Sequence, residues 1–298
     1  MIRPANFGYN AETAANNAFQ SKETKDTANE IKKKAIKEFD AMVDALRSHG
    51  INVIVHQDTT DPVKPDAVFP NNWVSFHNDG AVITYPMFAK NRRIERSEEI
   101  IEELGNAFDV KRRYTFEHYE EDEQYLEGTG SMLFDRENNI VYACLSERTS
   151  PQLIDKYVVL RSSDKVVVHA NDRNGDPIYH TNVMMALGVD FAVVCLDSIS
   201  KEDERQELVA KLQETGKEII DISFDQMEQY TGNMLEVCNH EGKRFLVMSE
   251  AAHKSLNKTQ IEALSAKTNI LSFNIDTIEY FGGGSVRCMM AEVFLPKK

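Results

Sequence analysis

A thiol, an imidazole and a carboxylate can together carry out nucleophilic, covalent catalysis: the thiolate attacks, the imidazole moves protons, and the carboxylate orients the imidazole. One such set stands out. Cys288 follows Gly282, Gly283, Gly284, Ser285, Val286 and Arg287; His180 lies in Tyr179-His180-Thr181-Asn182; Glu127 lies in Leu126-Glu127-Gly128-Thr129-Gly130. The glycines give backbone access to Cys288, and the adjacent Arg287 offers positive potential that favours a thiolate. Cys144, Cys195 and Cys238 sit in apolar, strand-like runs, where a cysteine usually acts as a small hydrophobe. Each member of the set has a plainer reading: a core thiol, a structural histidine, a solvated turn carboxylate. Only the combination carries information.

Other patterns point elsewhere weakly. The four cysteines form no C-x-x-C pair, which argues against a structural zinc site, and their spacing does not suit a disulfide scaffold. The triple glycine lacks both the G-K-[ST] ending and the G-x-G-x-x-G spacing of nucleotide loops. The acidic run Glu117 to Glu123 reads as a solvated loop, since hard-cation loops need regularly spaced oxygen ligands and a glycine. Its position just ahead of Glu127 also allows a mobile rim or lid.

Thirty-four Lys and Arg against 48 Asp and Glu give 298 residues a formal charge of −14, which repels phosphate backbones and anionic lipid. Nucleic acid and membrane partners are therefore not expected, and a small-molecule partner is. A 42% apolar content suffices for a sizeable core. Apolar runs such as Phe191 to Leu196 are far shorter than the roughly 18 residues that span a bilayer, and no signal-peptide pattern opens the sequence, so a cytoplasmic protein is expected.

The elements that must position these residues repeat. Two-stranded units are expected over Trp73 to Tyr85, Ser131 to Cys144, Asn182 to Leu196 and Asn233 to Met248, with a fifth around Thr277 to Leu295. Their starts lie roughly 50 to 60 residues apart, separated by helices near Glu95 to Leu104, Pro151 to Arg161, Lys201 to Thr215 and Lys258 to Lys267. A further helix is expected within Asp26 to His49, followed by a strand over Ile51 to Val55. Hairpins in every module suit blades around an axis better than a doubly wound sheet, and no linker divides residues 1–298 into domains. In a ring of modules, the polar segments at the hairpin starts converge.

At these motifs the sequence resembles the guanidino-group-modifying superfamily, the penteins, and within it dimethylarginine dimethylaminohydrolase. The resemblance rests on Pro65-Asp66-Ala67-Val68-Phe69, on Arg92-Arg93, on Glu127-Gly128-Thr129-Gly130, on Leu145-Ser146-Glu147-Arg148-Thr149, and on His180 and Cys288 in matching order. Met1-Ile2-Arg3-Pro4 with Asn71-Asn72-Trp73 is similar to a bacterial branch of amidinotransferase-like or citrulline-utilisation hydrolases. The resemblance implies a five-module α/β propeller, a covalent mechanism without metal or organic cofactor, and a catalytic set of Cys288, His180 and Glu127. It assigns substrate contacts to Asp66, Phe69, Asn72, Arg92, Arg148 and Asn182, with the two arginines on the substrate carboxylate. A homo-oligomer is left open.

Two departures bear on substrate. Asn72 and Asn182 stand where guanidinium-binding relatives carry carboxylates, and an amide both donates and accepts where a carboxylate only accepts. A neutral ureido group is thereby favoured, with citrulline the expected substrate, to be cleaved to ornithine, ammonia and carbon dioxide. Amidino transfer, hydrolysis of arginine or dimethylarginine, and a non-catalytic binding propeller are the alternatives.

Overall fold

The computed structural model describes residues 1–298, and its strands fall into five small sheets. The chain opens with β1 (Ile2–Arg3), passes through the helix Ala28–Ser48 and returns in β2 (His56–Gln57), parallel to β1. Four larger units follow one plan: an antiparallel hairpin, a crossover helix, and a third strand parallel to the second. They comprise β3 (Val74–Phe76), β4 (Ala81–Thr84) and β5 (Arg112–Thr115), then β6 (Met132–Asp135), β7 (Ile140–Cys144) and β8 (Asp164–Val168). The third and fourth are β9 (Met185–Leu187), β10 (Phe191–Val194) and β11 (Glu218–Asp221), and β12 (Leu235–Cys238), β13 (Arg244–Ser249) and β14 (Asn269–Phe273). The crossover helices include Glu98–Ala107, Pro151–Arg161, Glu202–Glu214 and Lys258–Ser265. This is the pseudosymmetric α/β propeller that the hairpin spacing suggested.

The central strands are deeply buried. β4, β7 and β10 are buried at every residue, which explains why their sequences read as unbroken apolar runs rather than alternating ones. No helix is long and apolar enough to cross a membrane.

The fifth unit differs from the expected hairpin over Thr277 to Leu295. That stretch forms the helix Asp276–Gly282 and a turn at 286–289, and residues 290–295 join no ladder. The helix forms because Glu38 caps it: its two carboxylate oxygens accept from the N–H groups of Thr277 and Ile278, each at 3.0 Å. The strand expected over Ile51 to Val55 also pairs only later, at His56–Gln57, because its partner β1 is two residues long.

Glu38 belongs to the helix Ala28–Ser48, which starts at a reciprocal capping box between Thr27 and Glu30. Its buried stripe of Ile31, Ala35, Phe39, Met42, Val43 and Leu46 shares a core cluster with Ile278, Phe281, Val286 and Met289. Burial of each large apolar side chain contributes about 1.5–3 kcal/mol. The longest helix thus supports the segment that carries Cys288.

Candidate active site

Five turns lead into the innermost chain segments of the five units. They are Pro70–Asn72, Gly128–Ser131, Thr181–Met184, the turn ending at Asn233, and the turn at 286–289. Hydrogen bonds link successive turns. Thr129 Oγ1 donates to the Asn71 carbonyl (3.3 Å), Thr181 Oγ1 to the Ser131 carbonyl (2.6 Å), and Asn233 Nδ2 to the Asn182 carbonyl (3.0 Å). The Arg287 N–H then donates to Asn233 Oδ1 at 3.1 Å. Glu127, His180 and Cys288 sit on these linked turns, so residues far apart in sequence are held on one connected series.

Glycine is required where the turns touch. A Cβ on Gly128, whose φ is +47°, would stand 2.3 Å from the Asn71 carbonyl oxygen. On Gly130 it would meet Asn72 Nδ2 at 2.4 Å and His180 Nδ1 at 2.8 Å, so the amide and the imidazole converge on the space this glycine leaves.

Glu127 and His180 form a buried pair, Nε2 to Oε2 at 2.7 Å. Burial alone would raise the Glu127 pKa, but Arg148, the His180 hydrogen bond and charge, and Arg92 outweigh it and hold the carboxyl at about 2. Burial pushes the His180 pKa down, opposed by Glu127. The resting pair is a carboxylate with a neutral imidazole donating through Nε2. That arrangement leaves Nδ1, facing Gly130, to exchange protons.

The thiol of Cys288 has amide neighbours: Asn233 Nδ2 at 3.3 Å, Asn182 Nδ2 at 3.5 Å and Asn233 Oδ1 at 3.6 Å. Arg287 does not reach it, contrary to the sequence reading. Its guanidinium turns to the Met290 carbonyl (3.0 Å) and to Glu292 (2.9 Å), so only its backbone serves the turn.

The expected substrate-binding residues separate into two groups. Asn72, Asn182 and Asp66 are buried and each keeps one polar atom without a partner: Nδ2, Oδ1 and Oδ1 respectively. Asp66 Oδ2 accepts from Asn10 (2.7 Å) and Thr13 (3.1 Å), and burial raises its pKa against the pull of Arg92, Asn10, Thr13 and Arg148. Phe69 instead packs beneath Gly282 and Gly284, as a support of the turn.

The two arginines diverge. Arg92 was expected on a substrate carboxylate, but its donors are already taken: Glu95 receives Nε and Nη2 at 2.8–3.1 Å, Asn72 Oδ1 receives Nη1 at 2.9 Å, and the Phe69 carbonyl receives Nη2 at 3.1 Å. It orients the Asn72 amide rather than clamping a ligand. Arg148 lies between the rings of Tyr179 and Phe88, 4.9 and 5.8 Å from their centroids. It donates to Thr13 O at 2.9 Å and to Asn16 Oδ1, with Nη1 3.7 Å from Glu127.

The rim expected at the acidic run is pinned. Glu120 accepts from the Met87 N–H at 2.8 Å and pairs with Arg96 at 2.6 Å and Arg93 at 3.3 Å. Residues 10–20 cover the site instead, through Asn10 and Thr13 on Asp66, Asn17 on the Gly283 carbonyl (3.1 Å) and Gln20 on the Gly282 carbonyl (2.9 Å).

Sequence reasoning missed Asn233, Asn71 and this covering segment. Asn233 was legible as the start of the fourth hairpin, in register with Asn72 and Asn182. Asn71 is fully buried with neither amide atom partnered. Nothing in the composition of residues 10–20 marks a cover.

A family profile described as N,N dimethylarginine dimethylhydrolase, eukaryotic, matches residues 3–295. The chain belongs to this family. It is a member of the guanidino-modifying pentein superfamily, and solved structures of other members share its fold. The substrate-bound N-terminal domain of ArgZ, an arginine dihydrolase from the ornithine-ammonia cycle in Cyanobacteria, is 15% identical with a TM-score of 0.74, over 99% of this chain and 98% of that one. AgrE in a ternary complex with ornithine and NAD+ is 17% identical with a TM-score of 0.73, and the match spans all of this chain but 39% of AgrE. A dimethylarginine dimethylaminohydrolase adduct with S-methyl-L-thiocitrulline is 16% identical with a TM-score of 0.64, over 97% and 96% of the two chains. No curated protein matches the sequence significantly.

Proposed function

We propose that this chain is a cysteine hydrolase that cleaves the ureido group of citrulline. The carrying observation is the set of buried asparagine amides on the linked turns. Asn72 keeps a free donor, Nδ2, near His180 across Gly130, and Asn182, whose amide neighbours the thiol, keeps a free acceptor, Oδ1, which suits a neutral group that has both a carbonyl oxygen and N–H bonds. Family membership supports C–N bond hydrolysis on a planar carbon, and a covalently bound reaction intermediate has been captured in the N-terminal domain of ArgZ.

In this reading the Cys288 thiol passes its proton to His180 as its sulfur adds to the ureido carbon. The bond to the side-chain nitrogen breaks, and His180 delivers a proton to the departing ornithine amine. The carbamoyl group stays on sulfur. His180 then takes a proton from water, whose oxygen attacks the same carbon, and the C–S bond breaks to release carbamate, which decomposes to ammonia and carbon dioxide. Glu127 keeps the imidazole oriented and stabilises its charged form. Arg148 is the arginine with an Nη1 still available to a substrate carboxylate.

A second reading has one observation in its favour. Asp66 Oδ1 is a buried, unpartnered carboxylate oxygen, the group a guanidinium would use. ArgZ acts on arginine with a similar fold. Assaying citrulline, arginine, agmatine, dimethylarginine and succinylarginine for ammonia and ornithine, with and without an added amine, separates the readings. The highest kcat/KM on citrulline, unaffected by amine, is expected. Preference for a guanidino compound would overturn the ureido assignment, and an amine-dependent product would show amidino transfer.

A further inference from the structure

A large cavity lies apart from the thiol. It encloses about 610 Å³ and is walled mainly by apolar side chains of β1, residues 51–56, β3, the helix Glu98–Ala107, β12 and the segment following Cys288. Protein interiors seldom tolerate voids much larger than a water molecule, whereas ligand pockets run from roughly 300 to 1,000 Å³. Two of the residues that line it each have a buried polar atom without a partner: Nε1 of Trp73 and Nε2 of His56. His56 Nδ1 is fixed on Glu103 at 2.6 Å, which leaves Nε2 for something else. An apolar pocket with a few unsatisfied polar groups is the usual composition of a small-molecule site.

We propose that this cavity binds a small, uncharged molecule with an apolar body and a single hydroxyl or carbonyl head. Such a head accepts from the Trp73 N–H, and a hydroxyl also hydrogen-bonds His56. Anions are disfavoured because Glu137, Glu236 and Glu292 outnumber Arg244 and Lys297 in the wall and the whole chain is acidic. The cavity touches the catalytic turns at two places. Pro70 and Trp73 flank Asn71 and Asn72, and Met290 lies two residues beyond Cys288. A bound molecule therefore bears on the turns that hold both the amides and the thiol. This second effect rests on the reading that Cys288 is the reactive group, while binding itself does not.

The test uses the full chain and the neutral fluorophore 6-propionyl-2-dimethylaminonaphthalene, with 2-naphthol as competitor. Saturable one-to-one binding with a blue-shifted emission is expected, displaced by 2-naphthol. Val53→Trp and Ile100→Trp fill the cavity from separate elements and each should weaken binding by about tenfold or more; having both keeps the result readable if one fails to fold. Saturating dye should change the iodoacetamide alkylation rate of Cys288 in the wild type but not in the filled variants. Absence of saturable binding, or equal binding by folded filled variants, overturns the site. So does a dimer that the dye dissociates, which would assign the cavity to a second copy of the chain. An unchanged alkylation rate at saturation overturns the link to the catalytic turns.

Discussion

Two neighbouring turns bury the same pair of groups, an arginine and a carboxylate, and use them differently. Around Asn72 the Arg92 guanidinium is saturated by Glu95, Asn72 and the Phe69 carbonyl, and Glu95 makes no contact beyond it. Around Glu127 the Arg148 guanidinium stacks between rings and stands 3.7 Å from a carboxylate whose oxygens go to His180 and to the Phe88 N–H. Burial, Arg92, Asp66 and Glu127 together leave Glu95 raised to about 7, while Glu127 is held at about 2. A closed pair fixes geometry; an open one keeps a charge available to an imidazole.

The largest effect should come from breaking the open pair. Glu127→Gln removes the charge and keeps the shape, and kcat should fall by roughly 10³–10⁴ with the fold intact, as when a buried orienting carboxylate is neutralised. Steady-state kinetics and circular dichroism check this. A loss below tenfold would show that His180 needs no charged partner.

Breaking the closed pair should cost stability first. Arg92→Met strands Glu95 beside Asp66, and urea unfolding should show a loss of about 3–5 kcal/mol. Arg92→Met with Glu95→Leu should recover most of that. If the double variant is no more stable than the single one, the pair does more than satisfy itself.

Acid should separate the two turns. Glu127 has a folded pKa below its ordinary 4.5, so its contribution, on the order of 3 kcal/mol, is complete above about pH 4.5 and lost between about 4.5 and 2. Glu95 has a raised folded pKa, so its ionisation disfavours the fold, and stability from this group rises as pH falls from about 7 to 4.5. Unfolding curves across pH 8 to 3 should show Glu95→Gln flattening the upper limb and Glu127→Gln the lower one. The reverse assignment would contradict the comparison.

The smallest effect concerns substrate charge. Asn72→Asp keeps the acceptor for Arg92 and converts the free donor, Nδ2, into an anionic oxygen. The ratio of kcat/KM for arginine over citrulline should rise by about tenfold or more, given ~1.5–3 kcal/mol for hydrogen bonds to charged groups. An unchanged ratio would move charge selection to Asp66.

The propeller was legible because its central strands are buried on both faces and its hairpins recur at even spacing. The fifth unit was not, since Glu38, on a helix more than two hundred residues earlier, decides that Thr277 starts a helix. Cys288 and Glu127 were singled out by residue type near glycines and His180 by its place at a hairpin start, and the structure sets all three on linked turns. The division between Arg92 and Arg148 could not, because it depends on three-dimensional packing: whether Glu95 or two aromatic rings face the guanidinium.

The central claim is that the Cys288 sulfur takes the carbamoyl group of citrulline. Acid quenching during turnover, followed by peptide mass spectrometry, reads it directly. The account predicts one carbamoyl group on Cys288, accumulating when His180→Ala slows its hydrolysis and absent from Cys288→Ser, with Cys144, Cys195 and Cys238 unmodified. Turnover of citrulline with no adduct on Cys288, or an adduct on another cysteine, would contradict it.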